Sequence, residues 1–138
     1  AKMRAALPSP DEFEIVSELM TKEPLAQVIR PDDVQFFNVL RWTIFATVEA
    51  EELGVTSANV DQMLKSTNPR VQNLLGTSGS TGKALGLDPR WAYSVVKALG
   101  NYGEMFERNL GAGSRLKLAR GLNRLWKDGG LIYAPPLQ

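Results

Sequence analysis

Residues 34–53 read VQFFNVLRWTIFATVEAEEL, and they predict one long helix around which the rest of the chain is arranged. Asp32 or Asp33 is suited to cap its start, and Asp32 with Gln35 has the spacing of a capping box. Gly54 follows the last apolar residue and suits a left-handed helix stop. Twenty residues at helical rise make a rod about 30 Å long, the width of a small domain. At 100° per residue, Phe36, Phe37, Leu40, Ile44 and Val48 fall within an arc of about 120°. Val34, Trp42 and Phe45 lie outside it, so more than one face of this helix calls for apolar cover.

Outward from that helix, composition sets bounds. The chain has 138 residues, enough for one domain with a buried core. Its 16 basic and 15 acidic residues nearly cancel, so charge makes no case for nucleic acid or an anionic membrane. Cysteine and histidine are both absent, which excludes disulfides, thiolate metal sites and the usual neutral-pH general base. Arg41 and Glu49 interrupt the longest apolar runs, so no membrane span is expected. The opening AKMRAALPSP lacks the apolar core of a signal peptide, and the leader of an exported protein is expected to lie upstream or to have been removed.

Before the central helix, residues 2–7 suit a single helical turn broken by Pro8 and Pro10. Residues 13–16 (FEIV) and 25–30 (LAQVIR) read as two short strands, with Pro24 at the edge of the second. Two lone strands do not make a stable sheet, and nothing else here offers them partners.

After Gly54 the pattern is helix and loop. Thr56 or Ser57 is expected to cap a short helix through Val60, Met63 and Leu64. Asn68-Pro69 is a cap followed by proline at the first helical position, and that helix is expected to end at Gly76. A loop GTSGSTGKALGL follows. Asp88-Pro89 repeats the signal and opens an amphipathic helix expected to reach Leu110, with Trp91, Val95, Leu99, Tyr102, Phe106 and Leu110 on one side. Glu104 and Arg108 have the spacing of a helical ion pair. Gly100 and Gly103 each cost about 1 kcal/mol inside a helix, which close packing is expected to offset. Ser114 is expected to cap a last helix bearing Leu118, Leu122, Leu125 and Trp126 on one face and Lys117, Arg120, Arg124 and Lys127 on the other. Gly129-Gly130 should stop it, and LIYAPPLQ should trail as an extended tail.

No constellation for catalysis emerges. The loop before Gly82-Lys83 has Thr77 where a phosphate loop needs glycine and Ala84 where it needs Ser or Thr. Asp32/Asp33 is explained by capping; Asp11/Glu12 and Glu51/Glu52 read as exposed charge, and Glu49, Glu51 and Glu52 oppose the dipole at the central helix's C-terminus. No nucleophile sits in an elbow or beside a recognisable base, no metal-ligand set or cofactor motif emerges, and no enzyme is expected.

Three blocks carry a resemblance: EPLAQVIRPDDVQFFNVLRWTIFATVEAEELGVTSANVD, VVKALGNYGEMFERNLG and RGLNRLWKDGGLIYAPP. Together, and in that order, they resemble the C-terminal part of the periplasmic substrate-binding proteins of polar amino-acid ABC importers, most closely the general L-amino-acid binding subgroup. GNYGEMFERN is the most specific of the matches. The resemblance implies a predominantly α-helical fragment of an α/β fold, the C-terminal portion of a two-lobed (type II) binding-protein architecture. It implies residues 1–22 as the end of the second lobe, 23–30 as the returning hinge strand, and 31–138 as a helical segment covering the first lobe. It also implies a periplasmic location after removal of a signal peptide, an L-amino acid ligand, an inner-membrane ABC permease as partner, and no cofactor. The family's ligand-binding positions fall outside this sequence; Lys22, Glu23 and Pro24 are the nearest candidates, as hinge residues bordering the cleft. Its uncovered apolar surface leads us to expect self-association of the isolated chain. The alternative expectation is a complete, mostly helical module that binds a partner protein.

Overall fold

The computed structural model describes residues 2–14, 16 and 26–137. Among the described residues seven α-helices run in order: α1 Lys2–Ala5, α2 Val34–Glu52, α3 Val60–Met63, α4 Pro69–Leu74, α5 Thr81–Ala84, α6 Trp91–Leu99 and α7 Tyr102–Asn109. α2 is the expected central helix. Asp33, rather than the Asp32–Gln35 box, caps it, its side chain accepting from the Phe36 amide at 3.0 Å. At the other end Gly54 takes φ +69°, the Val55 amide donates back to the Ala50 carbonyl at 2.8 Å, and the Gly54 amide donates to the Glu51 carbonyl at 3.1 Å. That pair of bonds is a Schellman stop, which needs the left-handed residue glycine supplies.

The core gathers around the C-terminal half of α2. Ala46 and Ala50, one turn apart, are fully buried with Ala92 and Val96 of α6, Val71 and Leu74 of α4, and Val55 and Val60 between. Small side chains at that spacing let α2 pack on α4, α6 and α7, and α3 packs on α6. The N-terminal half of α2 projects beyond this core. Val34, Phe36 and Phe37 are 64, 53 and 44% exposed.

Residues 81–84, expected in a loop, form the short α5. The long amphipathic helix expected after Asp88 is two helices. Asp88 accepts from the Arg90 amide at 2.7 Å in a turn ahead of the helix, but α6 begins only at Trp91, with Arg90 as N-cap and no side-chain cap; Gly100 (φ +84°, ψ 178°) then breaks the run and Asn101 restarts it. The capping box of Asn101 and Glu104 satisfies amide donors at a new N-terminus, which offsets the interruption. The break turns α7 relative to α6, so Leu99 and Leu110 end half exposed instead of continuing the buried stripe.

The last expected helix is absent. Residues 114–120 are turn and irregular backbone, with Lys117 at φ +45°, and two 3-10 turns follow at Gly121–Asn123 and Trp126–Asp128. Leu125 is buried, but Leu122 and Trp126 are exposed. Ser114 bonds locally, donating to the Gly111 carbonyl and accepting from the Leu116 amide, and the tertiary contacts of Arg120 override helical propensity. Residues 133–137, with Pro135 and Pro136 among them, form no helix.

Neither expected strand forms among the described residues. Phe13, Glu14, Val16 and residues 26–30 have no strand assignment, and Val28 is 94% exposed; Ile15 and Leu25 lie outside the described residues. An isolated parallel bridge between Leu125 and Ile132 is the β-pairing seen there.

Candidate functional site

Lys22, Glu23 and Pro24 lie outside the described residues. Among the described residues, no group of three or more acidic side chains is placed to hold a metal ion, and no helix is long and apolar enough to cross a membrane. Among the described residues two polar hubs, an exposed contact of Asp61 with Tyr93 and Lys97, and one apolar face remain.

The first hub is the acidic end of α2. Glu51 and Glu52 are not the exposed charge their sequence suggests, and Glu49 is buried. Glu49 Oε1 accepts from Arg70 Nη2 at 3.3 Å, and its Oε2 accepts from the Leu137 amide at 3.2 Å. Glu52 also accepts from Arg70 at 3.4 Å, and from the Ala134 amide at 3.4 Å, while Lys127 Nζ donates to the Glu52 carbonyl at 3.0 Å. Glu51 takes Arg120 in a two-point ion pair. Three carboxylates at a helix C-terminus are unfavourable by themselves; Arg70, Arg120 and Lys127 supply the cations that offset the dipole. Burial raises the Glu49 pKa above the usual carboxylate range, against the opposing pull of the Leu137 amide and Arg70. Arg120 also stacks over Tyr102 and Phe106, each 5.6 Å from its guanidinium carbon. Gly103 lies where any side chain would press on the Glu51–Arg120 pair, which accounts for a glycine inside α7. Arg124 Nε turns to the Gly121 carbonyl. The four basic residues therefore make no common helical face.

The second hub is Glu104. It closes the capping box by accepting from the Asn101 amide at 2.8 Å and also accepts from Ser57 Oγ at 2.6 Å and the Ser57 amide. Ser57 is thus spent here, and neither it nor Thr56 caps α3, which starts after Asn59 without a side-chain cap; Thr56 Oγ1 accepts from the Asn59 amide ahead of the helix. Asn101 Nδ2 donates to the Val55 carbonyl at 2.8 Å. Burial pushes the Glu104 carboxyl up, but the Ser57 and Asn101 bonds outweigh it and the net shift is downward. The expected Glu104–Arg108 pair is replaced: Arg108 donates to the Leu99 carbonyl at 3.0 Å. Both hubs hold paired charges, although, among the described residues, Arg120 Nε is buried without a hydrogen-bond partner. They are fasteners, and neither leaves a base or nucleophile open to a reacting atom.

The apolar face is the remaining feature. Ile44, Phe45 and Val48 of α2 line a groove with Tyr102, Leu131, Ile132, Tyr133 and Pro135, and Leu131 and Tyr133 are each 67% exposed. Towards the helix start the surface continues through Phe37, over which Arg41 lies at 5.1 Å, to Phe36 and Val34. Contiguous apolar surface of this kind marks a place where another body docks. The sequence signal for it was the excess of apolar residues around the central helix.

No protein-family model matches the chain. It is 50% identical over 138 residues to the general L-amino acid-binding periplasmic protein AapJ of Rhizobium johnstonii, covering 99% of this chain and 40% of that protein. It is 47% identical to the putative amino-acid ABC transporter-binding protein YhdW of Escherichia coli K12, over 99% of this chain and 40% of that one. It is 46% identical to the glutamate/glutamine/aspartate/asparagine-binding protein BztA of Rhodobacter capsulatus, over the whole chain and 41% of the relative. Among solved structures, an ABC transporter/periplasmic binding protein from Brucella ovis with glutathione bound superposes with a TM-score of 0.93 at 47% identity, covering 98% of this chain and 43% of that one. The resemblance carried by the three sequence blocks is therefore borne out, as is the helical-fragment reading of the fold. The chain spans about 40% of the length of the curated relatives it matches.

Proposed function

Taking that similarity as the premise, we propose that the chain is the C-terminal portion of a periplasmic amino-acid-binding protein that delivers L-amino acids to an ABC transporter. The observation that carries the reading is 46–50% identity running through essentially all of the chain to relatives named for amino-acid binding. Residues 1–22 would finish the second lobe, 23–30 would return through the hinge past Lys22, Glu23 and Pro24, and 31–138 would cover the first lobe. The bare half of α2 and the groove beside it support this, because a lobe seated there would bury Phe36, Phe37, Ile44 and Phe45 together. Ligand recognition is then the work of residues outside this chain. The ligand is carried unchanged, so no catalytic group is called for.

The test is titration calorimetry on the gene product containing this segment, with glutamate, glutamine, aspartate, asparagine and arginine, and with glutathione as a separate arm. Micromolar or tighter binding of at least one amino acid is expected. The 138 residues alone should bind none of them. Absence of binding by the longer product, or full affinity in the isolated chain, contradicts the proposal.

A further inference from the structure

At 100° per residue Val34, Phe37, Arg41, Ile44, Phe45 and Val48 of α2 fall within an arc of about 100°. The stripe starts at the exposed Val34 and Phe37 and runs into the groove beside Tyr102 and Tyr133. Arg41 is its one charged member. The side chain is exposed, with its guanidinium carbon 5.1 Å from the Phe37 ring centroid and 5.9 Å from that of Trp42. Its Nη2 donates to the neutral Asn38 Oδ1 at 3.2 Å. Among the described residues it makes no other side-chain hydrogen bond and meets no carboxylate, whereas Arg70 and Arg120, at the root of the same helix, each hold a glutamate.

Resting on the reading of this chain as part of a longer binding protein, we infer that the region of that gene product outside these 138 residues covers the stripe and sets an aspartate or glutamate carboxylate against Arg41. Material for the cover is at hand in that reading, since the chain spans about 40% of the curated relatives it matches. A body closing over Phe37, Ile44 and Phe45 strips water from the guanidinium between them, and a desolvated charge without a partner is strongly unfavourable. Asn38 and the two rings engage only part of its donor set. A carboxylate satisfies the open fork at two points, which a lone carbonyl does not. The rings and Asn38 also hold the guanidinium in place beforehand, so little side-chain freedom is lost when the mate arrives. The pairing fixes register. An apolar cover alone could slide along α2 by a turn, and a single cation within the stripe permits one seating only.

The test uses the gene product containing this segment, carrying Arg41→Lys. A carbodiimide joins a lysine amine to a carboxylate in contact with it, with loss of water, and peptide mass mapping locates the new amide. A cross-link from position 41 to an aspartate or glutamate outside the 138 residues is expected. In the same product Arg41→Met should raise the unfolding constant at least about ten-fold, because the mate is left buried and alone. Replacing the cross-linked acid by its amide should cost a similar factor, and the two changes together should cost no more than either one. A cross-link only to acids within this chain, such as Glu18 or Glu23, or none at all, would overturn the pairing. So would an unchanged unfolding constant in Arg41→Met, or strictly additive effects of the two changes. Amino-acid binding is not among these readouts, so a longer product that binds none would refute the proposed function and leave the Arg41 pairing to its own result.

Discussion

Arg120 and Glu51, 69 positions apart in sequence, meet in a two-point ion pair whose side chains are 16 and 15% exposed, with Arg120 Nη2 at 3.1 Å from Glu51 Oε2. The pair fastens the irregular segment after α7 to the last turn of α2. It is the reason residues 114–127 need no helix to hold their place. Removing one partner leaves a largely desolvated charge, so Arg120→Ala is expected to cost about 2 kcal/mol or more. Arg120→Lys should recover less than half of that, since an ammonium lacks the planar fork. Denaturant unfolding measures both; a loss below about 0.5 kcal/mol would place the pair with ordinary surface bridges.

Glu49 and Glu104 should respond to pH in opposite senses. The folded pKa of Glu49 is raised, chiefly by burial, so its contribution to stability is fully present below its unfolded pKa and is lost as pH rises through the folded one. Glu104 is lowered by its Ser57 and Asn101 bonds, which overcome burial, so its contribution is present above its unfolded pKa and is lost as pH falls through the folded one. Glu49→Gln should leave stability at pH 7 unchanged or higher and flatten the decline above the ordinary carboxylate range. Glu104→Gln should lower stability at pH 7 and flatten the acid side. Melting temperatures across pH 3–8 distinguish the two, and a shared sign would contradict the assignment.

Asn101 caps α7 and holds the Val55 carbonyl at once. Asn101→Ala should cost about 2 kcal/mol, a cap's worth of roughly 1 kcal/mol plus the buried carbonyl left unpaired. Asn101→Asp should keep the cap and lose the Val55 bond, landing between. Equal stability of all three proteins would show that Gly100 alone sets the break.

The isolated chain is expected to self-associate through its apolar face. Phe36→Ser with Phe37→Ser should shift it towards monomer in light scattering, while changing stability by no more than about 0.5 kcal/mol per site. A chain that is strictly monomeric at high concentration without those substitutions would remove the basis for this expectation.

What was legible in the sequence is what chain neighbours decide. The bounds of α2, the Asn68-Pro69 helix start and the stop at Gly54 all depend on residues within a turn of one another. The break at Gly100 was hidden because Trp91 to Leu110 keeps helical spacing on both sides of it, and only the Asn101–Glu104 box reveals the restart. The last helix was misread because Leu118, Leu122 and Leu125 are correctly spaced, yet Arg120 is claimed by a glutamate far off in sequence. For the same reason Glu51 and Glu52 passed as solvent charge. Their partners are Arg120, Arg70 and a tail amide, which no local pattern announces. The excess of apolar residues on α2 is legible in the sequence, and Val34, Phe36 and Phe37 are exposed in the structure.

α2 is rooted in the core by its C-terminal half, while its first half is braced along one side only, Val34, Gln35 and Asn38 beside residues 84–86 and Trp42 beside Thr81, and is bare at Phe36 and Phe37. Load applied at Phe36 or Phe37 is borne at the root, where Ala46 and Ala50 sit against α6 and the carboxylates grip their cations. A body resting on that bare side would bear directly on the helix around which the core is gathered.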